Sequence, residues 1–177
     1  MDTLPLHPKL VHIPMALAVL MPLLSGGLLL AWLRGWFPKR TWLIAVVLQG
    51  ILLGSAVWAK ESGEDEEERV EAVVPESAIE EHEEAADLFL IGAAVVTLTT
   101  AAALVVPGQA VAGILGGIAT AGTVVVLFLG VRVGEAGGKL VYQHNAGAAY
   151  GASAPSPGSG GPVGGAGGRE QGEQERE

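Results

Sequence analysis

The chain has no cysteine among its 177 residues. Disulfide bonds, thiolate metal sites, iron–sulfur clusters and haem attached through a C-x-x-C-H motif are therefore excluded. Any metal ion or cofactor held by side chains has to use histidine or carboxylate ligands. The four histidines, at positions 7, 12, 82 and 144, are thus the main ligands the chain can offer.

Charge is scarce and unevenly placed. Charged residues make up 16% of the chain and apolar residues 50%, a composition unusual for a soluble domain. The formal net charge is -9, yet 13 of the 19 acidic residues lie between Glu61 and Asp87. The acidity therefore belongs to one segment, and the apolar remainder indicates a membrane protein.

Motifs for hydrolysis or group transfer are absent as well. The sequence has no recognisable nucleophile triad, phosphate-binding glycine loop or pair of buried carboxylates, and its glycines do not follow a strand as a dinucleotide fingerprint requires. Because no charge lies in the middle of an apolar stretch, an ion or proton path through a bilayer is disfavoured. The chain is at most a redox component, and we expect no nucleic-acid partner.

Four apolar stretches predict an all-α integral membrane protein, a four-helix bundle in up-down-up-down order. Each can cross about 30 Å of hydrocarbon at about 1.5 Å per residue; they cover roughly residues 11–33, 42–59, 86–106 and 111–133. The first is too long for a cleaved signal sequence and is followed by cations, so we expect it to be retained. Residues 1–148 form the membrane domain, and the Gly-, Pro-, Ser- and Glu-rich residues 149–177 are expected to be a disordered tail.

The two connections beside the second stretch predict its orientation. Residues 34–42 combine three cations with tryptophans, as an interfacial anchor on the cytoplasmic side does. Residues 60–85 are then an acidic extramembrane loop outside, and both termini lie outside as well. For this acidic loop a cation-binding role, a docking surface for a basic partner and a plain solvated loop all stay open.

Glycines recur four residues apart within the apolar stretches. Examples are Gly50 with Gly54, Gly113 with Gly117, and Gly130 with Gly134 and Gly138. Such spacing favours close helix packing in lipid. The alternative is that some of them leave a flat surface for a cofactor ring.

The predicted topology brings all four histidines to one end of the bundle. His7 and His12 open the first helix, His82 opens the third on an inward-facing i, i+3, i+7 stripe, and His144 follows the fourth. Each also has a simpler interpretation: a helix-start residue at 7, an imidazole bonded to local carbonyls at 12, an ordinary residue of an acidic helix start at 82, and a surface residue before a turn at 144.

Haem binding is the leading interpretation of this cluster. Two imidazoles on facing helices can ligate haem iron axially for electron transfer. The candidate ligands of a haem b are His12, His82 and His144. Arg132 is the candidate to pair with a propionate, although reaching toward the lipid headgroups explains such a residue better.

Two other functions stay open. A Zn, Cu or Fe ion could be held by His7, His12, His82 and His144 with Glu83 assisting. Alternatively, the chain is a structural or accessory subunit, in which histidines satisfy helix ends and glycine faces dock against a larger membrane complex. The bilayer is a partner in every case, and a redox partner is implied only by the first.

Several short motifs occur in a characteristic order. They are Leu6-His7-Pro8-Lys9-Leu10-Val11-His12-Ile13-Pro14-Met15-Ala16-Leu17, then Ser62-Gly63 with the acidic run, then His82, and finally Gly137-Gly138-Lys139-Leu140-Val141-Tyr142-Gln143-His144. Over about residues 4–148 the chain resembles the bacterial membrane protein family catalogued as domain of unknown function 2231. The resemblance implies the same four-helix fold in a bacterial cytoplasmic membrane. Because similar domains are joined to Rieske or cytochrome modules, it also implies a redox setting. The chain departs from the family at Asn145, where a glycine is more usual.

Overall fold

The computed structural model describes residues 6–151, and in that range four long helices form an antiparallel bundle. These are α2 (His12–Leu33), α3 (Leu43–Glu71), α4 (Glu76–Val105) and α5 (Gln109–Tyr142). Two short helices, α1 (His7–Leu10) and α6 (Ala148–Gly151), flank them, and a 3-10 turn, Lys39–Trp42, leads into α3. Each long helix contains a stretch long and apolar enough to cross a membrane. The predicted all-α, multi-pass four-helix fold is confirmed.

Small residues form most of the bundle interior. The helix α4 shares its largest interface with α5, while α2 packs on α3 and α5, and α3 packs on α4, so the four helices close into a ring. Alanines such as Ala45, Ala93 and Ala112 are fully buried where the helices meet. Lipid supplies no hydrophobic drive for helix association, so close backbone approach through small side chains is what holds such a bundle together.

The predicted glycine packing is confirmed at some positions only. A methyl group added at Gly113 or Gly130 would come within 3.1 Å or 3.3 Å of a neighbouring side chain. At Gly50, Gly54 and Gly117 the same methyl group would meet nothing within 4 Å among the described residues. Those three glycines therefore lie on open helix faces of the single chain.

The acidic segment 60–85 is helical, so its prediction as a loop is wrong. The helix α3 continues to Glu71 and α4 begins at Glu76, which leaves a connection of only residues 72–75. At this tip, Val74 and Ile79 are buried together with Ala146 from the segment after α5. Dense charge indicates contact with water rather than an irregular backbone, and a small apolar cluster at the tip fixes the two helical extensions.

The helices therefore reach well beyond the apolar stretches at this end. The 29 residues of α3 are about 43 Å long at about 1.5 Å per residue, compared with about 30 Å of hydrocarbon. We call this the acidic end, and the opposite end, with Arg34, Lys39 and Arg40, the cationic end. Of the predicted tail, Ala149, Tyr150 and Gly151 belong to α6, and the rest lies outside the described residues.

Candidate functional site

All four histidines lie at the acidic end, as predicted, but the structure brings only two of them together. His7 in α1 and His82 in α4 have ring centroids 6.2 Å apart with their planes at 89°. These two residues lie 75 positions apart in the sequence. We call them the histidine pair.

A backbone carbonyl of α3 orients the ring of His7. Its Nδ1 lies 2.7 Å from the carbonyl oxygen of Ala59, and the hydroxyl of Ser62 donates to the same oxygen at 2.7 Å. A carbonyl oxygen can only accept, so Nδ1 carries the proton in this contact. The neutral ring then keeps a lone pair on Nε2, the arrangement seen in many metal-bound histidines.

The ring of His82 has one nitrogen without a protein partner. Its Nδ1 is buried and makes no hydrogen bond within residues 6–151, while the backbone of Val133 in α5 lies near the same ring. A buried polar atom without a partner costs about 1–3 kcal/mol. Such an atom in a folded protein calls for a water molecule, an ion or a function.

Two glycines allow these rings to lie close to the helix backbones. A side-chain methyl at Gly63 of α3 would lie 3.1 Å from Nδ1 of His7. One at Gly137 of α5 would lie 3.2 Å from Cε1 and 3.5 Å from Nδ1 of His82. The absence of side chains at positions 63 and 137 thus allows the two rings to pack closely against α3 and α5.

The other two histidines lie apart from the pair. His12 is exposed near the start of α2. His144 is half-buried in the turn after α5, where it lies near Glu81. The structure therefore does not assemble the predicted set of His12, His82 and His144, and of these three only His82 belongs to the pair.

The turn that follows His144 is formed by an asparagine in the left-handed region. Asn145 has φ 55°, a conformation that asparagine tolerates better than most residues. The chain thus satisfies with asparagine a backbone requirement that a glycine would also meet. Ala146 then packs onto the tip of the α3–α4 hairpin.

Glu83 and Arg132 were predicted to assist a cofactor, and both are directed elsewhere. Glu83 lies near Glu67 of α3, and the repulsion between the two carboxylates raises the pKa of Glu67. Arg132 is exposed and lines a cavity of 120 Å³ between α4 and α5 together with Glu81, Glu84, Glu135 and Lys139. Within the described part of the chain, no group of three or more His, Asp or Glu side chains is arranged around a metal position.

A single carboxylate fastens both ends of the described chain to α3. Glu66 accepts a hydrogen bond from the backbone N–H of Leu6 at 2.9 Å and another from the hydroxyl of Tyr150 at 2.7 Å. The guanidinium of Arg69 lies 5.7 Å from the centre of the Tyr150 ring. Burial and the Glu66 carboxylate raise the pKa of Tyr150 to about 12. Because Leu6 precedes His7, Glu66 also holds the histidine pair in place.

Haem fits the donor chemistry of the pair but not its spacing. The two imidazoles are in edge-to-face contact, and each ring lies against a glycine backbone. A macrocycle could enter between them only if α1 moved away from α4. The 120 Å³ cavity and a cleft of 600 Å³ at the cationic end both lie elsewhere.

Comparisons of the chain with protein-family models, curated proteins and solved structures gave no match. The resemblance to domain of unknown function 2231 accordingly stays an expectation from the order of short motifs. The site is assigned from its own geometry.

Proposed function

We propose that this chain is a multi-pass membrane protein that binds a transition-metal ion between His7 and His82, beyond the membrane surface at the acidic end. The observation that carries this proposal is the pair itself: two imidazoles 6.2 Å apart, one oriented by a carbonyl and the other with an unpartnered buried nitrogen. The oriented ring of His7 and the buried Nδ1 of His82, which has no hydrogen-bond partner within residues 6–151, are what a ligand pair needs.

The spacing suits one ion. Bonds from imidazole nitrogen to zinc are about 2.0–2.1 Å long. With ring nitrogens about 1.1 Å from their ring centres, two such bonds place the centroids about 5–6.4 Å apart, and the observed 6.2 Å lies within this range, near its upper limit. Imidazole ligands without thiolates suit Zn, Cu, Fe or Ni, and the chain has no cysteine to favour softer ions.

Two protein ligands leave the ion with open positions. Closed structural sites usually have four protein ligands, whereas sites that exchange ligands keep a position for water or substrate. The ion would therefore be reachable by water or by a side chain of a partner protein. This is consistent with a redox or metal-handling role in a larger membrane complex, in a bacterial cytoplasmic membrane with the acidic end outside.

Haem b is the second candidate. It is favoured by the fact that the two imidazoles come from different elements at one end of the bundle, as a pair of axial ligands does. It requires α1, which is only four residues long, to move. The third candidate, an accessory subunit without a cofactor, is favoured by the open glycine faces at Gly50, Gly54 and Gly117.

The test is to purify the full chain in mild detergent, measure its metal content, and record oxidised and dithionite-reduced absorption spectra. We expect about one transition-metal ion per chain and no Soret band. His82→Ala and His7→Ala should each lose the ion. The matched control is His12→Ala, which removes an exposed imidazole from the same end and should keep it. Circular dichroism confirms that each variant is folded.

Other results would select the other candidates. A Soret band with sharp reduced bands that is lost in His82→Ala would show that the protein binds haem rather than a single ion. A colourless, metal-free protein that also fails to bind added Zn²⁺ or Cu²⁺ would favour the third candidate, an accessory subunit without a cofactor. Loss of metal in His12→Ala but not in His7→Ala would show that the wrong pair has been assigned.

A further inference from the structure

The cationic end contains an open cleft, and the histidine pair plays no part in it. The cleft has a volume of 600 Å³ and lies between the segment after α2 and the turn that joins α4 to α5. Its lining includes Trp32, Trp36, Phe37, Lys39, Gly108 and Gln109. None of the described residues that line it is acidic.

Lys39 is a fixed cation in the wall of this cleft. Its Nζ donates to the carbonyl oxygen of Val106 at 2.7 Å and lies 5.9 Å from the centre of the Trp32 ring. An ammonium group has three donors, so two are left for a ligand. The side chain is therefore positioned by the protein while most of its hydrogen-bonding capacity is unused.

The N-terminus of α5 adds backbone donors beside Lys39. Gly108 occupies the cap position with φ 88° and has no side chain to accept hydrogen bonds from the first turn. The first amides of a helix have no partner within the helix, and they lie at the positive end of its dipole. Lys39 and these amides together form a cradle suited to a phosphate group.

The charge distribution of the whole end points to an anion. From residue 6 to 60, and again from 88 to 134, the sequence contains no aspartate or glutamate. The cations Arg34 and Arg40 flank Lys39, and both are exposed. An anion bound here meets three positive charges and no carboxylate on these segments.

The surroundings of the cleft are apolar and aromatic. Trp36 and Phe37 are 67% and 51% exposed, and Leu33 and Val105 at the adjoining helix ends are exposed as well. Amphipathic aromatic rings concentrate at the headgroup level of a bilayer. A ligand in this cleft would therefore have its charged part at the cradle and its apolar part along the helices.

We propose that the cleft is a specific binding site for an anionic phospholipid of the adjoining leaflet. Its phosphate oxygens accept hydrogen bonds from the Lys39 ammonium and the first-turn amides of α5. The acyl chains lie along the exposed apolar residues Leu33 and Val105. Basic pockets between membrane helices on the cytoplasmic side bind phospholipid headgroups in this way.

The test compares lipids by native mass spectrometry of the intact detergent-solubilised protein. We expect phosphatidylglycerol to be retained in preference to phosphatidylcholine and to raise the thermal unfolding temperature more. Lys39→Gln should lower phosphatidylglycerol retention by roughly three- to tenfold, as expected for the loss of one charge-assisted contact. The matched control is Lys9→Gln, which makes the same charge change at the acidic end and should leave retention unchanged.

A second variant covers the case in which Lys39→Gln does not fold. Trp36→Ala removes a mostly exposed side chain and should also lower retention. Equal retention of both lipids, or equal losses in Lys9→Gln and Lys39→Gln, would overturn the proposal. Full displacement of the lipid by millimolar inorganic phosphate would do so too, because free phosphate would then be the ligand.

Discussion

The two ends of the bundle are fastened in different ways. At the acidic end, contacts between side chains add to those with the backbone: Lys60 pairs with Asp87, Lys139 pairs with Glu81, and Tyr150 donates to Glu66. At the cationic end, side chains bond to the backbone. The indole N–H of Trp42 donates to the carbonyl oxygen of Thr100 at 2.9 Å.

The two kinds of contact differ in how much they stabilise the bundle. Ion pairs that water can reach contribute about 0–1 kcal/mol each, whereas a large side chain buried in a core contributes several times more. Trp42 is 1% exposed, while the acid and base of each ion pair are partly exposed. We infer that contacts at the cationic end contribute most to the stability of the bundle. The contacts at the acidic end position the histidine pair and contribute little to stability.

The largest effect should come from a paired tryptophan substitution, one at each end. Trp42→Ala removes a buried ring and its hydrogen bond, so we expect it to lower the free energy of unfolding by about 3–5 kcal/mol. Trp58→Ala removes a ring that is 55% exposed near the acidic end, and should cost less than about 1 kcal/mol. Denaturant unfolding in mixed micelles measures both, and equal costs would contradict the division between the ends.

A smaller, local effect should follow from changing Glu66. Glu66→Gln removes the charge that accepts hydrogen bonds from Leu6 and Tyr150. We therefore expect the free energy of opening these two segments to fall by about 1–3 kcal/mol. Hydrogen–deuterium exchange should quicken in residues 6–11 and 145–151, while the centre of each long helix stays protected. Glu68→Gln alters an exposed carboxylate on the same helix and should change neither segment. Uniform quickening along the chain would refute the local clamp.

The smallest effect concerns pH at Tyr150. Its pKa is about 12 in the folded chain and about 10 when unfolded, so the folded state binds the proton more strongly. The resulting stabilisation is complete below pH of about 10 and is lost as the pH rises toward about 12. In a Tyr142→Phe background, tyrosinate absorbance should appear only toward the upper end of this range. Glu66→Gln should move its appearance to lower pH.

Much of this fold could be predicted from the sequence. Long apolar stretches identified the four helices, because a bilayer requires about 20 apolar residues in each. The helical form of residues 60–85 was missed, because charge does not distinguish an exposed helix from an exposed loop. The buried tip residues Val74 and Ile79 were the available signal.

The site could be predicted only in part. Topology placed all four histidines at one end, but it could not select the two that meet. His7 and His12 are five residues apart, so at about 100° per residue a helix turns them about 140° away from each other. Both could not face inward, and the structure makes His7 the inward one. The glycines Gly63 and Gly137 that flank the rings stood in the quoted motifs, but their contacts depend on three-dimensional packing that spacing alone does not give.

The central claim is that two histidines, and only these two, hold the ion. X-ray absorption at the zinc edge of the Zn²⁺-loaded protein counts imidazole ligands at about 2.0–2.1 Å directly. We predict two imidazoles in the natural chain, one in either His7→Ala or His82→Ala where zinc is forced in at high concentration, and two in His12→Ala. Three or four imidazoles in the natural chain, or a count that falls in His12→Ala, would contradict the pair.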